Sequence, residues 1–363
     1  MKHTENLAEK PNNSLTGRRF LAGLAVAVAL AVPTLRTLGI SIPPKLCLPA
    51  DQTSLEERLY CQDRIALASS VKGQYDILIV RSNGTDPIKL TDDAGSEMYP
   101  RWSPDGRRIA FFSDRELKNA LYVMDSHGRN VKKLLEDHVL EHFISWSPDG
   151  KEIAYSMGDG SICSVDSEGF SKPRRLTNIL GVHTKPIYSP NGRQIVFEIR
   201  AGDKRCIGLM DRNGNDVAML TDSKSDLYPS WSPDGKKIVY FSKGKICAMN
   251  SDGSGTEELT KKAGNCWEPF YSPDGRKILY RTEADGKKVV CVMNSDGSEN
   301  RILTADLENS RGARWSPDGE RIAFYSKKKG DWHVYTMKSD GTEKPDRLME
   351  NAGSTFEPSW CPK

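Results

Sequence analysis

One phrase returns throughout this chain: "RWSPDGRRIAFFS" at Arg101–Ser113, then "SWSPDGKEIAYS", "SWSPDGKKIVYFS" and "RWSPDGERIAFYS". The aromatic residue opening each copy stands at Trp102, Trp146, Tyr188, Trp231, Tyr271, Trp315 and Trp360, at spacings of 44, 42, 43, 40, 44 and 45 residues. A steady period of this size marks an array of supersecondary units, each unable to bury its apolar face alone. The period suits the four-stranded blade of a β-propeller.

Each unit reads as four short strands. In the first full one, "YPRW" (Tyr99–Trp102) ends in the large aromatic, and "SPDG" turns the chain. Pro104 presets φ, Asp105 bonds back to the backbone and Gly106 accepts a positive φ. "RIAFFS" is the second strand and "ALYVM" (Ala120–Met124) the third, followed by "DSHG"; "VKKLL" (Val131–Leu135) is the fourth. The later turn returns as "NSDG" at Asn250–Gly253 and Asn294–Gly297, an Asp-Gly hairpin signal between apolar runs.

Counting the strand types separately sets the architecture. The Ile-Ala-Phe type centres on Ile65, Ile109, Ile153, Ile195, Ile238, Ile278 and Ile322, and the aromatic type also numbers seven. The two sets are offset: the first Ile strand has no aromatic strand before it, and the last aromatic strand has no Ile strand after it. A ring resolves the offset, with the C-terminal strand completing the N-terminal blade. Closure also removes the hazard of open sheet edges. The expected fold is all-β, a seven-bladed β-propeller over residues 61–363.

The closure predicts a staple. Cys361 takes the Ser slot of the turn after Trp360, and Cys61, four before Ile65, takes the Asp slot. A ring brings these half-turns together, so a Cys61–Cys361 disulfide is expected, against the alternative of two free thiols. Cys163, Cys247 and Cys291 share one slot of the third strand, where other blades carry Tyr122 and Tyr335, and read as small packing residues.

The N-terminus reads as targeting. Residues 1–31 form an export signal: a polar lead ending in Arg18-Arg19, then the apolar run Phe20–Val32, too short to span a bilayer, with a small-residue cleavage site at Ala29-Leu30-Ala31. "TGRRFLA" partly resembles a twin-arginine signal, and an ordinary secretory signal is the alternative. Residues 32–60 are a lead-in. A membrane contact is expected only if the signal stays uncleaved. The net charge of +3, spread without single-sign blocks, argues against nucleic acid.

No G-x-S-x-G, H-E-x-x-H, P-loop or dinucleotide fingerprint appears, and no C-x-x-C-H for covalent haem. The chain is therefore expected to carry no cofactor and no catalytic residue of a known linear motif. His138 and His142, in "EDHVLEHF", and His183, in "LGVHTKP", are candidate rim residues. Imidazoles on neighbouring loops suit zinc, copper or iron, but contact with a partner is the stronger expectation, because loops that depart from a repeat are where partners are read. Trp267 and Trp332 stand outside the repeat slot and are further candidates for partner contact.

The combination of "W-S-P-D-G-x-x-I-A-F-x-S" with "Y-V-M-x-S-D-G" resembles the WD40-like PD40 repeat of TolB-type propellers, across about residues 60–363. That resemblance implies the propeller and a protein-binding role at the cell envelope. About 30 residues separate the export segment from the first blade, so the α/β domain that accompanies such propellers is not expected. A second resemblance, in blade number, length, export signal and lack of haem motifs, is to the beta subunit of hydrazine synthase from anaerobic ammonium oxidisers. It implies a non-catalytic, haem-free subunit of an exported oxidoreductase complex, sitting beside multihaem cytochrome-type partners. Those partners would carry haem c and make hydrazine from nitric oxide and ammonium in the anammoxosome lumen. Three readings thus stand: complex subunit, free-standing TolB-like binding module, or stand-alone propeller enzyme with a rim metal site.

Overall fold

The computed structural model describes residues 60–71, 73–135, 139–260, 265–350 and 352–362. The blades occupy the compact unit Cys61–Lys363; the export segment and residues 32–59 lie outside the described residues. Among the described residues, twenty-eight strands form seven four-stranded antiparallel sheets. Six sheets take four consecutive strands. The seventh joins β28 (Thr355–Trp360) to β1 (Arg64–Val71), β2 (Gln74–Arg81) and β3 (Ile88–Lys89). Ile65 pairs with Trp360 and Ser69 with Thr355, so the C-terminal strand is the innermost strand of the first blade and shuts the ring.

The strands differ from their sequence-based bounds in an instructive way. The innermost strand of the second blade is β4 (Glu97–Trp102), longer than "YPRW", while the outermost strand is only Lys132–Lys133. Outer strands are two residues long in every blade. Little apolar surface remains for them to cover, and a two-residue edge limits unpaired backbone.

The repeated Trp joins neighbouring blades. Trp146 Nε1 donates to the carbonyl of Arg101 at 3.2 Å, Trp231 to Ile187 at 3.1 Å, Trp315 to Phe270 at 3.1 Å and Trp360 to Arg314 at 3.2 Å. In each case the acceptor immediately precedes the aromatic slot of the preceding blade. An indole is suited to this position because it packs as an apolar plate and still satisfies one polar edge.

Inside a blade, the second and third strands pack by volume. Tyr155 faces Cys163, Tyr240 faces Cys247 and Tyr280 faces Cys291; Phe111 and Phe324 instead face Tyr122 and Tyr335; Phe197 faces Gly208. Where the phenol already lies on the second strand, a small thiol fits opposite. The three cysteines are buried and serve packing, as expected.

The SPDG turn is built by side chains. Ser103 Oγ donates to Asp105 Oδ1 at 2.6 Å, the Arg107 amide donates to the same oxygen at 3.1 Å and the Arg108 amide donates to Ser103 Oγ at 2.9 Å. Gly106 has φ of 69°, the left-handed region. The Ser126 amide reaches back to the Arg107 carbonyl at 2.8 Å, so both turn types lie on one face of the propeller. Hairpins between second and third strands, and entries to the inner strands, lie on the other.

Candidate functional site

Innermost strands line the centre of a propeller, and here they share a kink. Three residues before the aromatic slot, Tyr99, Lys185, Tyr228, Glu268 and Glu357 take φ of 53–56°, and Gly312 takes 60°. Ladder register breaks at the same places, for example between Met98 and Arg101 and between Leu227 and Ser230. A bulge re-aims a side chain. A non-glycine residue at positive φ persists only where its surroundings hold it. Six of the seven blades therefore present a re-aimed residue beside the centre.

Around the closure these side chains form a continuous patch. Phe356 is contacted edge-on by Tyr75, with centroids 4.8 Å apart at 76°, and by Tyr99 at 6.2 Å and 69°. Tyr325 lies 6.4 Å from Phe356 and 5.2 Å from Trp332. All five rings are half-buried. Cations sit over them: Arg311 lies 5.2 Å from the Trp332 ring and Lys327 equally close. Arg281 lies 5.1 Å over Trp267 and pairs with Glu268 at 3.3 Å. Arg314 lies 4.3 Å over Phe270.

One carboxylate organises the middle. Glu357 accepts from Arg101 at 3.1 Å through one oxygen and from the Tyr325 phenol at 3.1 Å through the other. Burial, with Glu357 beside it, raises the Tyr325 pKa, so the phenol keeps its proton and donates. Burial, then repulsion from Arg101, pulls Arg314 below its ordinary value, only partly offset by Glu357 and Glu268.

The sequence-predicted residues fall in several places. Trp332 belongs to this patch through Tyr325, and Trp267 lies under Arg281, the partner of Glu268. His138 and the side chain of His142 lie outside the described residues. His183 is not on the rim: it stands five residues before Tyr188, on an inner strand, and is 1% exposed. Its Nδ1 lies 3.1 Å from Thr177 Oγ1, and its ring packs edge-on against Phe197 at 5.8 Å. The same column holds Glu97, Asp226, Ser310 and Thr355, all buried. Among the described residues no group of three or more His, Cys, Asp or Glu converges to hold a metal ion.

Burial, the largest cause, lowers the His183 pKa, and Arg175 adds to it. The folded ring stays neutral where the unfolded one, with a pKa of about 6.5, takes up a proton. Stability is therefore full above that value and falls as pH drops below it, by at most about 1.4 kcal/mol per pH unit for this proton. Melting temperature measured from about pH 7.5 down to about pH 5 should fall, and His183→Gln should fall less steeply. An unchanged slope in the variant would assign the acid sensitivity elsewhere.

Cys61 and Cys361, placed together by the sequence, are together in the structure. The Cys361 amide donates to the Arg64 carbonyl at 2.9 Å, as the Ser103 amide does to Arg108, so Cys361 occupies the Ser position of a turn split between the two chain ends. Cys61 Sγ donates to the Gly106 carbonyl at 3.0 Å. Both side chains are buried. The hydrogen bond to Cys61 and burial together hold the Cys361 proton far above the usual thiol range.

Sequence reasoning did not find Arg101, Arg314, Tyr325, Phe356 or Glu357. For Arg101, Arg314 and Glu357 the signal lay in two columns of the repeat, one and three residues before the aromatic slot, where residue type changes from blade to blade while the frame does not; Phe356 lies four before that slot and Tyr325 on a second strand.

Comparison with known proteins agrees with this architecture. The chain is 27% identical over 257 residues to the Tol-Pal system protein TolB of Bordetella pertussis, a match covering 57% of this chain and 59% of that protein. The chain thus matches less than two thirds of that relative's length. Among solved structures, TolB from Acinetobacter baumannii superposes with a TM-score of 0.56 at 20% identity, covering 89% of this chain and 75% of that one. An oligogalacturonate lyase in complex with manganese gives 0.59 at 14% identity, covering 79% and 85%. At these identities the superpositions speak to fold alone. The family model for the TolB beta propeller domain matches residues 62–214, 116–262 and 242–363, and the chain accordingly belongs to this PD40 family.

Proposed function

We propose that this chain is an exported, non-catalytic protein-binding propeller of the cell envelope, which engages a protein partner through the patch centred on Phe356. The observation that carries the reading is the patch itself: five half-buried aromatic rings interleaved with Arg101, Arg311 and Arg314, joined across the closure. Protein interfaces concentrate their energy in Trp, Tyr and Arg held in partly desolvated surroundings. The similarity to Tol-Pal system proteins supports both the export and the binding class. A photo-crosslinking residue in place of Trp332 should capture a protein in cells of the source organism. The same residue in place of Phe170, 83% exposed beside a turn on the opposite face, should not. Capture at Phe170 alone would overturn the assignment of the face.

The finer reading, a haem-free subunit beside multihaem cytochrome-type partners as in hydrazine synthase, rests on the seven blades and on the lack of a C-x-x-C-H motif in this chain. Its test is native purification: haem absorbance co-migrating with the chain supports it, and recovery without any haem-bearing partner removes it.

A further inference from the structure

The patch holds more positive charge than it neutralises. Arg101 and Arg314 flank Glu357, and both carboxylate oxygens of Glu357 are engaged, one by Arg101 and one by the Tyr325 phenol. Arg314 forms no ion pair among the described residues. Among the described residues its one hydrogen bond runs from Nη1 to the Ala313 carbonyl at 2.9 Å, and its guanidinium carbon lies 4.3 Å from the Phe270 ring centroid. Arg101 likewise spends Nη1 on the carbonyl of its own neighbour, Pro100, at 2.9 Å. The backbone of each arginine thus fixes one edge of its guanidinium. A half-buried guanidinium held in place and left without an anion is an incomplete ion pair, because charge withdrawn from water needs a partner.

We propose that Arg314, assisted by Arg101, is a binding site for a carboxylate carried on an organic body. The planar fork of a guanidinium matches a carboxylate in two parallel hydrogen bonds. One carboxylate completes the Arg314 ion pair, and Glu357 and Glu268, which also act on Arg314, would repel a second negative charge on the same ligand group. Phe270 beneath the guanidinium and Phe356 and Tyr325 beside Glu357 give the apolar remainder of the ligand somewhere to lie. The source is an acidic side chain or C-terminus of a polypeptide, or a free organic acid. The site rests on the binding face proposed above and says which chemical group that face takes.

The test uses the purified chain and defined probes, so it can fail while the crosslinking experiment succeeds. A short acetylated peptide bearing Asp and Glu is titrated by calorimetry beside its Asn/Gln analogue, acetate and inorganic phosphate. The acidic peptide should bind at least about tenfold more tightly than the amide analogue, as expected for a charge-assisted bidentate contact. Arg314→Gln should abolish that difference, and Arg314→Lys should keep part of it. Acetate binding at the same site without a gain from the peptide would assign a free organic acid as the ligand. Equal binding of the amide analogue, or phosphate binding as tightly as the peptide, would overturn the proposal. Should Arg314→Gln fail to fold, phenylglyoxal labelling of Arg314 in the unaltered chain decides. Protection by the acidic peptide and not by its amide analogue supports the site, and equal labelling sinks it.

Discussion

Removal of residues 355–363 should leave no cooperatively folded propeller. The deletion takes away all of β28 and with it the innermost strand of the first blade. Ile65, Ala66, Ala68 and Ser69 lose their strand partners, and β1 becomes an open edge flanked by apolar side chains. The Arg314 carbonyl loses the Trp360 indole, so the preceding blade loses its joint as well. Open apolar edges template pairing with other chains. The expected outcome is a truncated chain recovered mainly in aggregates, with no sharp thermal transition. Supplying the missing strand in trans as a synthetic peptide should restore part of the soluble fraction. A soluble truncated chain that melts as sharply as the intact one would show that closure contributes little.

The second large effect is expected at Cys61 and Cys361. Treatment of the reduced chain with a disulfide oxidant such as oxidised glutathione should convert the two thiols to one disulfide. Each thiol gives up a proton, and the electron pair passes to the oxidant, which leaves as two glutathione thiols. The intact mass falls by about 2 Da, and a non-reducing peptide map should show this pair and no other. Oxidation closes a loop of some 300 residues. Loop entropy alone would favour the folded state by up to about 5 kcal/mol. That corresponds to a melting temperature raised by roughly 10 °C for a chain of this size. The double variant Cys61→Asp/Cys361→Ser should replace the staple with the Ser–Asp hydrogen bond that the other turns use. Its melting temperature should match the reduced form and ignore oxidant. A map that leaves both thiols free after oxidation would remove the staple from the account.

The fold was legible because the repeat writes each strand type in its own words. The offset between the Ile and aromatic series gave the closure, and the Ser and Asp slots gave the juxtaposition of Cys361 and Cys61. The same regularity concealed the patch. Periodicity says which residues share a slot, but not which slots meet across the centre of a ring, so Arg101 and Glu357, 256 positions apart, left no local trace of their contact. Nor does hydrophobic alternation show a bulge: "EMYPRW" reads as an extended strand, yet Tyr99 turns to positive φ. "LGVHTKP" reads as a rim loop matching the His138/His142 loop one blade earlier, yet His183 lies on an inner strand. Alignment on Tyr188 sets it in the column of Glu97 and Asp226, both buried. The outer strands were read as five residues and are two, since propensity continues through "VKKLL" where the sheet has no more surface to pair with.

The split blade also sets an order in time. Six sheets are built from neighbouring residues and can form as the chain is made, each resting on the one before. The first sheet cannot, because its inner strand is made more than 260 residues after the other three. Until then the first three strands wait with one side bare, and the contact they need spans nearly the whole domain. Such distant pairings slow folding, and the waiting edge is the stage at which a holding chaperone or a delayed release would matter most.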